Sequence, residues 1–178
     1  MFAIVLAALD RSGSVLPILC AMAVHELAHV VMMLACGGQV RRLTLRFADF
    51  QIAASGLSYR QELLSALAGP LVNLICGAAF CMQRPSFAAY SLMLGIYNLL
   101  PVWPLDGGRM IRCALLARLP ITQAEHISEI VSFAACAVLL LIGVFLTFFR
   151  KAGLWPLGTA AYLTVRLLML ARRTDAVK

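Results

Sequence analysis

The sequence predicts an all-α polytopic membrane protein of five to six transmembrane helices, with a small membrane-associated β element after the second hydrophobic segment. Three observations predict it. Hydrophobic residues make up 62% of the 178 residues and charged ones 13%, against about 25% charged in soluble domains. The mean hydropathy is +0.91. Apolar runs of spanning length recur along the chain, while residues 39–56 switch to alternation. A soluble domain of this composition would expose more apolar surface than water tolerates, which excludes soluble globular, disordered and secreted disulfide-rich classes. A span takes about 20 residues, so the length holds at most about six or seven of them. The expectation is a single transmembrane domain over 1–178 with no appended soluble regulatory or peptide-binding domain.

Residues 1–9 are apolar but short, and no small-x-small cleavage pattern follows them, so they read as a truncated or tilted span. Residues 15–36 have spanning length and end at Gly37-Gly38. In 39–56, Val40, Leu43, Leu45, Phe47, Phe50 and Ile52 sit among Arg, Thr and Asp, nearer alternation than helical periodicity, which predicts one or two short strands. Residues 61–83 form a span containing Gly69-Pro70, and 86–100 a shorter one ending in NLLPVWPLDGG. Residues 107–119 predict an amphipathic interfacial helix with Arg109, Arg112 and Arg118 towards headgroups. Residues 124–149 and 154–171 are the last two spans.

The net charge of +7 comes from 15 basic residues. Alternating the spans puts ten of them on one side, around 41–60, 109–118 and the C-terminus. Four, namely Arg11, Arg84, Arg150 and Lys151, fall on the other, and Arg166 lies within the last span. The positive-inside rule therefore places the strands, the Pro-broken loop and the C-terminus in the cytoplasm. No basic stretch is interleaved with aromatics, so the charge does not indicate nucleic acid. The six cysteines, at 20, 36, 76, 81, 113 and 136, form no Cys-x-x-Cys pair and read as small core residues.

The chemistry centres on His25-Glu26-Leu27-Ala28-His29. Residues i and i+4 lie one above the other on a helix, about 6 Å apart in rise. Two imidazoles so placed can grip one tetrahedral Zn2+, and Glu26, rotated about 100°, can reach the attacking water as general base. Ionisable groups inside a span are costly, which argues against a merely structural cluster. A catalytic zinc takes a third protein ligand. The remaining histidine, His126, stands beside Glu125 and Glu129 at the start of a span. Asp106 follows Pro101 and Pro104 and precedes Gly107-Gly108; spacing alone leaves it as either a ligand or an N-cap of the next helix. Asn98 reads either as an interhelical hydrogen-bonding group or as a donor to an oxyanion. Gly69-Pro70 with Asn73 reads as a kink with a close-packing position.

HELAH at 25–29 within a span, AGPLVN at 68–73 and NLLPVWPLDGG at 98–108 resemble the three signatures of the site-2 protease family of intramembrane zinc metalloproteases. The last stretch, NLLPVWPLDGGR, is similar in particular to the sporulation branch, whose members process a membrane-associated pro-sigma factor. The resemblance runs from about residue 2 to 171. It implies His25, His29 and Asp106 as zinc ligands, Glu26 as catalytic base, and Asn98 beside the scissile bond in a catalytic and substrate-binding role. It implies Gly69, Pro70 and Asn73 as structural elements near the site, bordering bound substrate. Ala28 stands where the family motif commonly has Gly, a small-for-small change, and the first span is nearly missing.

The expected activity is hydrolysis of a peptide bond in or near the transmembrane segment of a membrane-associated protein such as a pro-sigma or anti-sigma factor. The expected partners are that substrate, membrane regulators and the bilayer. The alternative is a non-proteolytic zinc protein, a transporter or an inactive scaffold. A transporter should spread its ligands along a path, whereas these converge.

Overall fold

The computed structural model describes residues 13, 15–46, 49–150 and 153–175. Residues 1–9 therefore lie outside the described part. The described elements are α1 (Val15–Ala35), β1 (Gln39–Arg46), β2 (Asp49–Ser55), α2 (Tyr59–Ala79), α3 (Pro85–Asn98), α4 (Asp106–Leu116), α5 (Ile121–Phe148) and α6 (Trp155–Asp175). They belong to two compact units, one ending at Leu99 and one beginning at Leu100.

In the first unit, α1, α2 and α3 pack against one another. The buried stripe of α1 is Ala21, His25, His29 and Met33, every fourth residue, while Leu27 and Val31 are 61% and 57% exposed. Polar groups face inwards and large apolar ones outwards, the pattern of a helix solvated by lipid. Backbones approach closely where α2 and α3 carry glycine. A Cβ at Gly77 would overlap Leu92, and one at Gly95 would press on the Pro70 carbonyl. With little hydrophobic drive between helices in lipid, such small residues supply the packing.

Helix α1 stops in a Schellman arrangement. Gly37 takes φ +81°, its N–H donates to Leu34 O at 2.9 Å, and Gly38 N–H donates to Met33 O at 3.0 Å. Helix α2 starts with a capping box between Ser58 and Gln61. The Gln61 amide nitrogen also donates to Cys36 O at 3.0 Å, tying the start of α2 to the end of α1. Between these ends β1 and β2 pair antiparallel, from Gln39↔Ser55 to Arg46↔Asp49, with a register shift between Val40 and Arg42.

In the second unit α5 packs against both α4 and α6. Its buried stripe runs Ala124, Ser128, Ser132, Cys136 and Gly143, and Gly143 lets α5 approach the α6 backbone at Pro156 and Leu157. Helix α4 begins one residue earlier and ends three residues before the 107–119 expected from sequence. Two of its arginines are also engaged within the protein. Arg118 is exposed, but Arg109 pairs with Asp106 at 3.5 Å and Arg112 with Glu125 at 3.0 Å. An acidic neighbour offers these two guanidinium groups a partner within the protein, while each side chain stays 33% exposed.

Among the described residues three helices are long and apolar enough to cross a membrane: α1, α2 and α5. Helix α3 has 14 residues, and the apolar part of α6 is Pro156–Leu170. Helix α3, expected as a short span, is bounded by Pro85 and Pro101, whereas α6 as a whole runs 21 residues and extends past the expected end at 171.

Candidate metal centre

His25 and His29 are 4% and 7% exposed. Successive turns of α1 bring their Nε2 atoms to 3.1 Å, with the rings edge to face and centroids 4.7 Å apart. Helix α2 holds the outer nitrogen of each ring. His29 Nδ1–H donates to the Ser65 carbonyl at 2.7 Å. A carbonyl only accepts, so the proton of neutral His29 sits on Nδ1 and Nε2 carries the lone pair. The Ser65 hydroxyl donates in turn to His29 O at 3.2 Å.

On the other ring, the Asn73 carboxamide nitrogen stands 3.2 Å from His25 Nδ1. Asn73 is fully buried, and its Oδ1 has no hydrogen-bond partner. A metal-binding pair needs both Nε2 lone pairs. His25 meets that need when its proton sits on Nδ1 and Asn73 turns Oδ1 towards it, which also satisfies the orphaned oxygen. Two nitrogens on one tetrahedral zinc lie roughly 3.3 Å apart, close to the separation seen. The pair therefore fits zinc in donor type, spacing and tautomer.

Gly69 completes the support. A Cβ there would fall on Nε2 and Cε1 of His29 and on Cε1 of His25, so the backbone of α2 lies directly against both rings. We expect Gly69→Ala to weaken zinc binding by on the order of 100-fold, the upper range for losing outer-shell support, with helical content retained. Zinc per chain and a helical circular-dichroism signal check this; wild-type zinc content would show that α2 can retreat without cost.

Glu26 is half-buried beside His25. Pro70 and Asn73 are among the most buried side chains; Asn73 and Gly69 lie against the histidines, and Pro70 lies between these two in sequence, with its carbonyl towards Gly95. Asn98 is the last residue of α3, and its Nδ2 donates to Leu94 O at 3.0 Å. In the second unit Asp106 is 7% exposed. The N-cap of α4 is Leu105, without a side-chain cap bond, so Asp106 is the first helical residue and not the cap. His126 is exposed, and Glu125 is engaged by Arg112. Beside Trp103 lies a cavity of ≈ 270 Å³, whose wall includes Glu125 and Glu129. Sequence reading missed Ser65, which acts through a main-chain carbonyl that no residue type announces.

Residues 84–142 match the model of peptidase family M50. A zinc metalloprotease of Methanocaldococcus jannaschii is 26% identical over 133 residues, 67% of this chain and 39% of the relative. Stage IV sporulation protein FB of Bacillus subtilis is 27% identical over 129 residues, 65% of this chain and 45% of the relative. The chain thus spans less than half the length of these curated relatives. The solved site-2 protease from Methanocaldococcus jannaschii shares the fold, with a TM-score of 0.67 and 19% identity over 94% of this chain and 83% of that one. The family match falls on the segment that holds the third sequence signature, and together with the relatives and the shared fold it makes the chain similar to peptidase family M50, the site-2 protease family of zinc metalloproteases.

Proposed function

We propose that this chain is an intramembrane zinc endopeptidase that hydrolyses a peptide bond in or near the transmembrane segment of a membrane-associated protein. The observation that carries this reading is the buried histidine pair, with Nε2 atoms 3.1 Å apart and Glu26 next to it in the same helix. Asp106 completes the ligand set, a carboxylate whose charge offsets a dication in a low-dielectric setting. Bound zinc supplies Lewis acidity, lowering the pKa of water towards 7 and polarising the scissile carbonyl.

The chain's own groups do the rest. A Glu26 carboxylate oxygen takes the proton from the attacking water and passes it to the leaving amine nitrogen. Asn98 spends one N–H on Leu94 O; a carboxamide has a second, which donates to the oxyanion as it forms. The substrate helix must unwind before attack, because a helical peptide bond is shielded and internally bonded. The β1–β2 hairpin offers strand edges that can receive the unwound segment. The substrate class we favour is a pro-sigma or anti-sigma factor, from the similarity to a sporulation protein. Co-expression with a tagged candidate of that class should give a truncated product that disappears with a zinc chelator. Persistence of the product under chelation would overturn the reading.

We place five spans across the bilayer, α1, α2, α3, α5 and α6, with the C-terminus and the hairpin in the cytoplasm. A cysteine introduced at Asp175 in an otherwise cysteine-free chain should resist an impermeant thiol reagent on intact cells and react after permeabilisation. Labelling from outside would reverse the topology.

A further inference from the structure

We propose that Ser132 is a positioning residue for Asp106, acting through the backbone of Trp103. The inference rests on the reading of Asp106 as a zinc ligand. The segment between α3 and α4 contains Pro101 and Pro104, which have no N–H to donate. Its internal backbone bonds are Val102 N–H to Leu100 O and Leu105 N–H to Val102 O, both 2.8 Å. Such a segment needs outside partners, and Trp103 N–H finds one in Ser132 Oγ at 3.1 Å.

Ser132 is suited to that task. Its hydroxyl donates to Ser128 O, one turn back in α5, at 2.9 Å. A serine that bonds its own helix in this way is ordinary. Here the donated proton also fixes the rotor, so that the oxygen lone pairs face Trp103. Ser132 is 1% exposed and Trp103 half-buried, so the accepting oxygen is shielded from water.

Trp103 is held from α4 as well. A Cβ at Gly108 would overlap Trp103 N and the Val102 carbonyl, and the Arg112 guanidinium lies 5.7 Å from the Trp103 ring centroid. The Arg112–Glu125 pair is about one third exposed on both sides, at 33% and 35%, so solvent screens it. The ≈ 270 Å³ cavity beside Trp103 means that packing does not close that side. The bond to Ser132, whose acceptor is buried, is therefore the contact whose loss should matter most. Trp103 stands three residues before Asp106, and Leu105 N–H closes the turn on Val102 O, so a shift at Trp103 reaches the start of α4.

The test is a zinc-affinity cycle on the purified full chain in detergent, read by competition with a chelating dye. We expect Ser132→Ala to weaken zinc about 10-fold, the lower range for an outer-shell partner. Ser132→Thr, which keeps the hydroxyl, should restore most of the affinity. Ser132→Cys keeps the volume but is a weak acceptor; it should behave like alanine and serves if alanine does not fold. In an Asp106→Asn background the Ser132 substitutions should add nothing further. Unchanged affinity in Ser132→Ala or Ser132→Cys, or an equal loss in both backgrounds, would overturn the proposal. Unchanged affinity in Asp106→Asn alone would instead overturn the ligand reading beneath it.

Discussion

Glu26→Gln should reduce cleavage of a membrane substrate by at least about 1000-fold, within the range for losing a general base, while zinc content stays at the wild-type level. The two readouts separate because the neighbouring His25 and His29 hold their outer nitrogens through α2, at Ser65 and Asn73. Gln has nearly the shape of Glu and keeps an oxygen that can accept, but it cannot take a proton at neutral pH. Cleavage assayed beside zinc per chain decides the matter. Wild-type turnover would show that another group moves the proton. Lost zinc would show that Glu26 belongs to the metal's own shell.

Asp106→Asn should weaken zinc by more than about 100-fold, exceeding the loss of an outer-shell partner. The substitution preserves size and a carbonyl oxygen but removes the charge that helps neutralise a dication. It also removes the pair with the partly exposed Arg109 and an acidic residue in the first turn of α4; together these are worth about 1 kcal/mol. A small shift in melting temperature with a large loss of zinc is the expected combination. Because Leu105 occupies the cap position, a capping role cannot substitute for ligation here. An Asn variant with wild-type zinc would send the search for a third ligand to Glu125, Glu129 or His126.

The sequence carried most of this site because its chemistry is written in residue types. Two histidines four apart with a glutamate between them have few uses inside an apolar helix. Apolar length was equally legible, and it located α1, α2 and α5 within a few residues. What stayed hidden depends on the third dimension. The Ser65 carbonyl belongs to no motif, and the partnership of Trp103 with Ser132 links residues 29 apart whose types suggest nothing in common. The arginines of α4 were read as facing headgroups because amphipathic periodicity shows which residues share a face; it does not show that Glu125 or Asp106 waits there.

The bond from Gln61 to Cys36 O bears on what can be exchanged between members of such a family. With the end of α1 and the start of α2 stitched together, everything from Gln39 to Ser55 leaves and returns through one fixed doorway. Loop-closure entropy rises by only about 0.6 kcal/mol for each doubling of length. The excursion can therefore be lengthened, shortened or replaced outright while the helices that seat the histidines keep their register. New segments could then evolve as grafts at the doorway, with the helices that carry the histidine pair inherited unchanged.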